Sequence, residues 1–514
     1  MITVRLWMLL LLLLLTTSAA AETPPPALRE LIAIGLENNL GLLTEKVNVG
    51  QQAQQVQIKQ AEFDPEVQAK VSYEKNSTPY ESSSGFSGNS RADTASGQVG
   101  VGKKLSTGTE LSMSLNSEWM TDNDFSNDLD DRYRTALILS LTQPLLRNLG
   151  RDVNLTSLRL SRNNQRQASL NYLLKTQQYI LKLEDAFWQL AGSEQVIRLR
   201  KDSLALAQGL LEANRKRFAA GVVAVTEIQE AETATADREL SLSQAIQEHS
   251  LQLEELSRLL NYQLPENYQL AGSEAFPETV EPQSFPADQA LYDQALKKRL
   301  ELKINAFDIE NAHLQKNYQA NQLQPKLDLN LQAGLNGLAG EDRQTVPGSR
   351  YEGGWLDSAG SLAEGDGYQW GVGLNFSMPL GNREARARYQ LSRMQLTRDR
   401  YARQDLELAV RNELRQQRIN VRRYLEQLGI AERFAQLAEK TLQQEQRRLD
   451  EGLSDTFRMI SFQENMISAK IGRINAMIRY HLAVARMAYV RGNTFERHHI
   501  IMTEDNEELT LENL

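Results

Sequence analysis

Asp450, Glu451, Asp455 and Arg458 set three carboxylates and a guanidinium into the segment RLDEGLSDTFR, where the sequence concentrates its candidate charge chemistry. Such groups, brought face to face, could select ions or hold an opening shut by ion pairing. The competing reading is local: Asp455 or Ser454 caps a helix that begins there, and Arg458 is solvated. Other chemistry is poorly supplied. The chain has no cysteine, which removes disulfides, thiolate metal sites, a cysteine nucleophile and a cysteine-borne lipid together. It has five histidines, of which His498 and His499 are adjacent but too isolated to argue a metal site. The acidic run DNDFSNDLDD, Asp122 to Asp131, lacks the glycine and final glutamate of a calcium loop and reads as a solvated loop. With no Gly-rich phosphate loop and no nucleophile motif, no catalytic residue, metal or cofactor is expected.

The elements that must carry these charges are long helices. No proline interrupts the sequence between Pro144 and Pro265, or after Pro379, over stretches rich in Leu, Ala, Gln, Glu and Arg. Asp152 and Asn382 are plausible N-caps, and Gly221 and Gly452 suit the left-handed position that ends a helix. Arg217 and Arg448 then fall in the last turn, where a cation suits the helix dipole. Helices over about 151–219 and 382–450 would each run roughly 100 Å. Return helices are expected over about 224–261 and 455–491.

The chain is written twice. Leu36, Leu40, Leu42, Pro65 and Val67 recur as Leu296, Leu300, Leu302, Pro325 and Leu327 at an offset of 260. The LSR of Leu160 to Arg162 recurs at Leu391 to Arg393, Arg217 at Arg448 and Gly221 at Gly452, at an offset of 231. Each copy reads as a helix, strands, a long helix, a turn and a return helix. The copies span 22–262 and 287–491, the second opening with a helix over about 287–323. A proline-rich linker, 263–286, lies between them, and an acidic tail, 492–514, follows. Residues 1–21 read as a cleaved secretory signal, with Arg5, the apolar run Leu6 to Leu15 and small residues Ala19 to Ala21. Past that signal no run of 18 apolar residues occurs. Only strands could cross a membrane.

Strands of that kind are present. Leu327, Leu329, Leu331, Ala333 and Leu335 alternate with polar or small residues, as do Val67 to Tyr73, Leu111 to Trp119, and Tyr368 to Met378. Runs of about ten residues, apolar on one face and polar on the other, fit a transmembrane β-barrel. The alternative on alternation alone is an amphipathic sheet over a soluble core. Trp119, Tyr133, Tyr368 and Trp370 at strand ends suit an aromatic girdle. Lys75 to Ser96, Met120 to Arg132 and Asn336 to Gly367 read as long polar loops, and LSTGTE, Leu105 to Glu110, as a tight turn at the other end. Strands are expected over about 64–144, two to four of them, and over 326–335 and 368–378. Four to six strands cannot close alone, so the chain must oligomerise.

RFAAGVVAVTEIQEAE and RLDEGLSDTFRMISFQEN resemble the Arg-aromatic-x-x-Gly tip motif of the TolC-like outer membrane efflux and secretion channels. LTQPLL, Leu141 to Leu146, and the helix end with Tyr480, Ala483 and Ala485 resemble that family too, and the likeness covers nearly all of the mature chain. The fold it implies is mainly α with a β-barrel part: duplicated long-helix hairpins forming an α-helical barrel, joined to outer membrane strands and completed in a trimer. It implies an equatorial region near Asn261 to Gln289, and tips at Arg217, Gly221, Val222, Arg448, Gly452 and Leu453 that contact a periplasmic adaptor coupled to an inner membrane RND, ABC or MFS transporter. Asp450, Glu451, Asp455 and Arg458 would become rings at a gate. The function implied is a passive outer membrane conduit of a Gram-negative bacterium, the exit duct of a tripartite pump or type I secretion system, and not an enzyme. Two departures stand out. The extra hairpin, Gln98 to Trp119, would give a trimer 12 strands with an excursion or, less favoured, 18; and Leu449, Arg458 and Ser461 replace residues common at the family's tip. A net charge of −9 and a pI near 5.4 argue against nucleic acid. The alternative function is a periplasmic adaptor or coiled-coil structural protein without a channel.

Overall fold

The structure is a computed structural model of the chain and describes residues 26–81, 87–122, 129–270, 288–342, 351–365, 367–502 and 509–511. The expected signal, most of the linker and acidic loop, and part of the tail lie outside the described residues. The chain divides into two compact units, and passes between them at residues 50/51, 165/166, 306/307 and 401/402.

One unit, residues 51–165 and 307–401, holds a single antiparallel sheet among its described residues. Its strands are β1 (Glu66–Glu81), β2 (Ser87–Lys104), β3 (Glu110–Asp122), β4 (Leu129–Pro144), β5 (Lys326–Asp342) and β6 (Gly367–Ser377), hydrogen-bonded in that order. The favoured expectation of two strands per copy plus an excursion is therefore corrected: all four first-copy strands enter the sheet. Most strands also run well past the ten-residue alternating runs: Lys75 to Ser96, taken as a long loop, is largely strand, and the ends of Met120 to Arg132 and of Asn336 to Gly367 are strand as well. Backbone pairing continues there although both faces have turned polar, which erases the alternation a sequence reading depends on. The tight turn is anchored: Leu105 N–H donates to Thr109 O at 2.8 Å, and Gly150 N–H to Thr107 O at 3.0 Å.

The helices, in chain order, are α1 (Pro26–Asn38), α2 (Leu40–Ala61), α3 (Arg151–Asn154), α4 (Thr156–Ala219), α5 (Val225–Leu260), α6 (Asp288–Lys298), α7 (Leu300–Asn321), α8 (Trp355–Glu364), α9 (Arg383–Asp450), α10 (Thr456–Arg491) and α11 (Thr494–Arg497). A small ribbon of β7 (Ile500–Met502) and β8 (Leu509–Leu511) follows. Three expectations shift. The helix expected over 151–219 breaks at Leu155, so Asp152 lies inside α3, and Gly150, at φ 94°, holds the N-cap position. The helix expected over 287–323 breaks between α6 and α7 at Arg299, as α1 and α2 break at Asn39, the equivalent residue at the 260 offset. Asn382 does precede α9, but its side-chain amide donates to Leu323 O at 3.0 Å instead of capping the helix.

The helical unit is packed around long seams. Along α9, Leu414, Val421, Leu428, Ala435, Leu442 and Leu449 are buried at every seventh residue, the repeat of a left-handed coiled coil. Leu173, Ile180 and Phe187 do the same along α4. The duplication reappears in the cores: Leu183 with Leu253 in one cluster corresponds to Leu414 with Val484 in another. Each such side chain contributes about 1.5–3 kcal/mol on burial. At the α6/α7 break, buried Arg299 bonds Glu301, Glu413 at 2.8 Å and the Val490 carbonyl at 3.3 Å.

Candidate functional site

The sheet has two chemically distinct faces, set by the strand period of two. In register across β3, β4, β5 and β6, Leu115, Leu137, Leu335 and Tyr368 form one row, and Met113, Leu139, Ala333 and Trp370 the next. With Val67, Val71, Val99, Val101, Val372, Leu374 and Phe376 they make an apolar face that stands exposed. The opposite face carries Ser72, Ser96, Ser114, Asn116, Gln332 and Asn375, with Thr142 donating to Asn330 at 3.0 Å and Ser72 sharing a hydrogen bond with Ser96 at 2.7 Å. Trp119 and Tyr133 face each other two rows above Tyr368 and three above Trp370, a staggered band. β1 and β6 are its edges.

The tips belong to the helical unit. Gly221 and Gly452 adopt φ 72° and 76°, the left-handed region where a side chain is strained. The same pair of hydrogen bonds closes both helices: Val222 N–H to Arg217 O at 2.9 Å and Gly221 N–H to Phe218 O, then Leu453 N–H to Arg448 O at 2.7 Å and Gly452 N–H to Leu449 O. This is the 6→1 and 5→2 closure of a Schellman end. Arg217 then reaches from the first tip to the second, donating to the Leu449 carbonyl at 3.2 Å with Asp450 at 3.8 Å. Asp455 takes the local role: its carboxylate accepts the Arg458 N–H at 2.8 Å and caps α10. Val222, Glu451 and Leu453 project to solvent.

Two buried polar residues here were missed by sequence reasoning. Asn214 on α4 is fully buried, its amide donating to Thr456 Oγ1 at 2.7 Å and to the Glu227 carbonyl at 3.1 Å, while Thr456 donates to the Glu227 carboxylate at 2.7 Å. Glu445 on α9 gathers Ser454, Arg448 at 3.7 Å and Arg458 at 3.6 Å. Asn214 and Glu445 are the same position of the two copies, at the 231 offset. A polar residue within an apolar heptad seam was the signal. Asn214 ties α4, α5 and α10 together, and Glu445 pairs with the still exposed Arg458.

A second cluster lies where α11 meets α4 and α10. His498, far from isolated, is fully buried with Nε2 3.3 Å from Glu184, and Arg497 lies 3.4 Å from the same carboxylate. His481 stacks on Trp188 at 4.0 Å. Burial pulls the His481 imidazole down to about 4, with Arg497 adding to the effect and Glu184 opposing it. Burial alone would raise the Glu184 carboxyl, but Arg497 and His498 outweigh it and hold the group below its ordinary value. Among the described residues no cluster suited to a metal ion occurs, and no helix is long and apolar enough to cross a membrane.

A family profile described as outer membrane efflux protein matches residues 31–262 and 291–492. A search of the curated proteins found no match. Among solved structures, the outer-membrane channel OprN is similar over 91% of this chain and 90% of its own, at 15% identity and a TM-score of 0.65. The outer membrane channel CmeC of Campylobacter jejuni is similar over 91% and 86%, at 14% identity and 0.62. The outer membrane protein VceC of Vibrio cholerae is similar over 91% and 96%, at 15% identity and 0.61. At such identities the likeness is one of fold.

Proposed function

The chain belongs to the outer membrane efflux protein family, and we propose that it works as a homotrimer whose strands close one barrel and whose helices form a tunnel in the periplasm. Membership makes it an outer membrane channel and not an enzyme, which sets the adaptor alternative aside. The observation that carries the trimer is the sheet: six strands with two open edges, β1 and β6, and an apolar face left exposed. Lipid-exposed open edges are not tolerated in a bilayer, and six strands are too few to close. Three copies give 18 strands.

The tips at Arg217, Gly221, Val222, Arg448, Gly452 and Leu453 are the proposed contacts for a periplasmic adaptor, which links the duct to an RND, ABC or MFS transporter in a tripartite pump or a type I secretion system. Exposed Val222 and Leu453, held out by the two glycine turns, favour that role. Closure at rest is assigned to the Arg217 clasp on Leu449 and Asp450, with Arg458 and Glu445 behind it and Glu451 and Asp455 at the rim. Asp455 acts there as a cap.

The test is the native mass of detergent-extracted protein from separated outer membranes. Three chains in that fraction are expected. A monomer, or protein found in the soluble fraction, rejects the proposal.

A further inference from the structure

The apolar face of the sheet is interrupted in one row. Ser117 of β3, Thr135 of β4 and Gly337 of β5 stand side by side in register, directly beneath the row of Trp119, Tyr133 and Ala339 and above that of Leu115, Leu137 and Leu335. Two hydroxyls and bare backbone set among Leu, Ala and aromatic side chains are costly against acyl chains unless something satisfies and covers them.

α8 does both. Trp355 Nε1 donates to Ser117 Oγ, and Ser358 Oγ donates to Thr135 Oγ1 at 3.0 Å. A Cβ on Gly337 would come within 2.0 Å of the Ser358 carbonyl oxygen, so only glycine lets the helix settle there. Asp357 accepts the Gly354 N–H at 2.8 Å, and Gly365 ends the helix at φ 72°. The helix turns Ser358 to the sheet and much of its apolar surface outward. Ser358 is 0% exposed, whereas Leu356 is 73% and Trp355 49% exposed, and Gly360 and Ala363 also face outward, flanked by the exposed carboxylates Asp357 and Glu364 that an interfacial helix can hold toward headgroups and water.

We propose that α8 is an interfacial helix whose outward face, Leu356, Gly360 and Ala363, lies against membrane lipid at the level of the Trp119–Tyr133 row. The inference rests on the outer membrane barrel reading and goes beyond it. Lipid is the occupant because that face continues the exposed apolar face of the strands, and because an amphipathic helix at this depth sits with its apolar side toward the acyl boundary. A second copy of the chain is not the occupant: α8 covers β3, β4 and β5, whereas copies meet through the edges β1 and β6.

Because the chain lacks cysteine, a single nitroxide can be placed at will. Leu356→Cys and Ala363→Cys, labelled and reconstituted into vesicles of outer membrane lipid, are compared with Val372→Cys on the apolar strand face and Glu451→Cys at a tip. Collision rates with oxygen, which concentrates in lipid, and with a water-soluble nickel chelate are read by power saturation. The proposal expects Leu356→Cys and Ala363→Cys to favour oxygen over nickel with the same sign as Val372→Cys, and Glu451→Cys to show the opposite sign. Labels at α8 that favour nickel, or are shielded from both probes while Val372→Cys reports lipid, overturn it. If Val372→Cys itself reports water, the barrel reading fails and takes this inference with it.

Discussion

At the scale of single residues, two contacts decide behaviour. The Arg217 clasp is partly exposed, one carbonyl hydrogen bond and one ion pair, worth roughly 1 kcal/mol together, so the proposed adaptor would need little to release it. Arg217→Ala should therefore raise uptake of large antibiotics normally excluded by the outer membrane, with trimer yield unchanged; uptake equal to that of the parent protein removes the clasp from the closing mechanism. His481 titrates in the other cluster, faced by Glu184, Arg497, Trp188 and Tyr480. Its folded pKa of about 4 lies below the ordinary 6.5, so the unfolded chain binds its proton first as pH falls, and stability is lost on acidification. Between pH 7 and pH 5 the loss is about 2 kcal/mol, and the depressed Glu184 carboxyl adds a further loss below that range. His481→Gln should flatten this limb in urea unfolding of the detergent-solubilised protein, and an unaltered pH slope would remove His481 as its source. The cap at Asp455 and the turn glycines were legible because caps act through their own neighbours. Asn214 and Glu445 were not, since the Asn214 side chain bonds residues of two other helices and Glu445 gathers partners from its own helix, the tip turn and the return helix that only the folded tip brings together.

At the scale of elements, the tips are the part whose conformation is written most directly in the sequence. Gly221 and Gly452 meet nothing where a Cβ would lie, so a substitution there costs backbone strain alone. Gly452→Ala should lower local tip stability by roughly 1 kcal/mol, seen as faster hydrogen exchange across 449–456. Gly429→Ala, in the middle of α9 with equally open space, should instead stabilise by about 0.5–1 kcal/mol. Equal effects of the two changes would mean that the left-handed turn carries no strain. The long helices were foreseeable from missing prolines and the strands from alternation. The breaks at Asn39, Leu155 and Arg299 were not, because the residue at each break is neither Pro nor Gly, and Gly41 beside Asn39 lies inside α2. α8 was read as loop because its small polar face makes sense only against Thr135 and Gly337, on strands far away in sequence.

At the scale of the whole molecule, the duplication was plain, and the structure repeats it down to equivalent buried positions such as Leu183 and Leu414. The strand count was harder. The first copy's extra hairpin reads alike whether it joins the sheet or stands apart; only the unbroken pairing of β1 to β4 places it. That count bears on selectivity. In the proposed trimer, eighteen strands about 4.8 Å apart and tilted about 40° would close into a ring roughly 36 Å across, against about 24 Å for twelve. A mouth of that width would pass small solutes and short peptides alike, which would leave the choice among cargoes to other parts of the assembly.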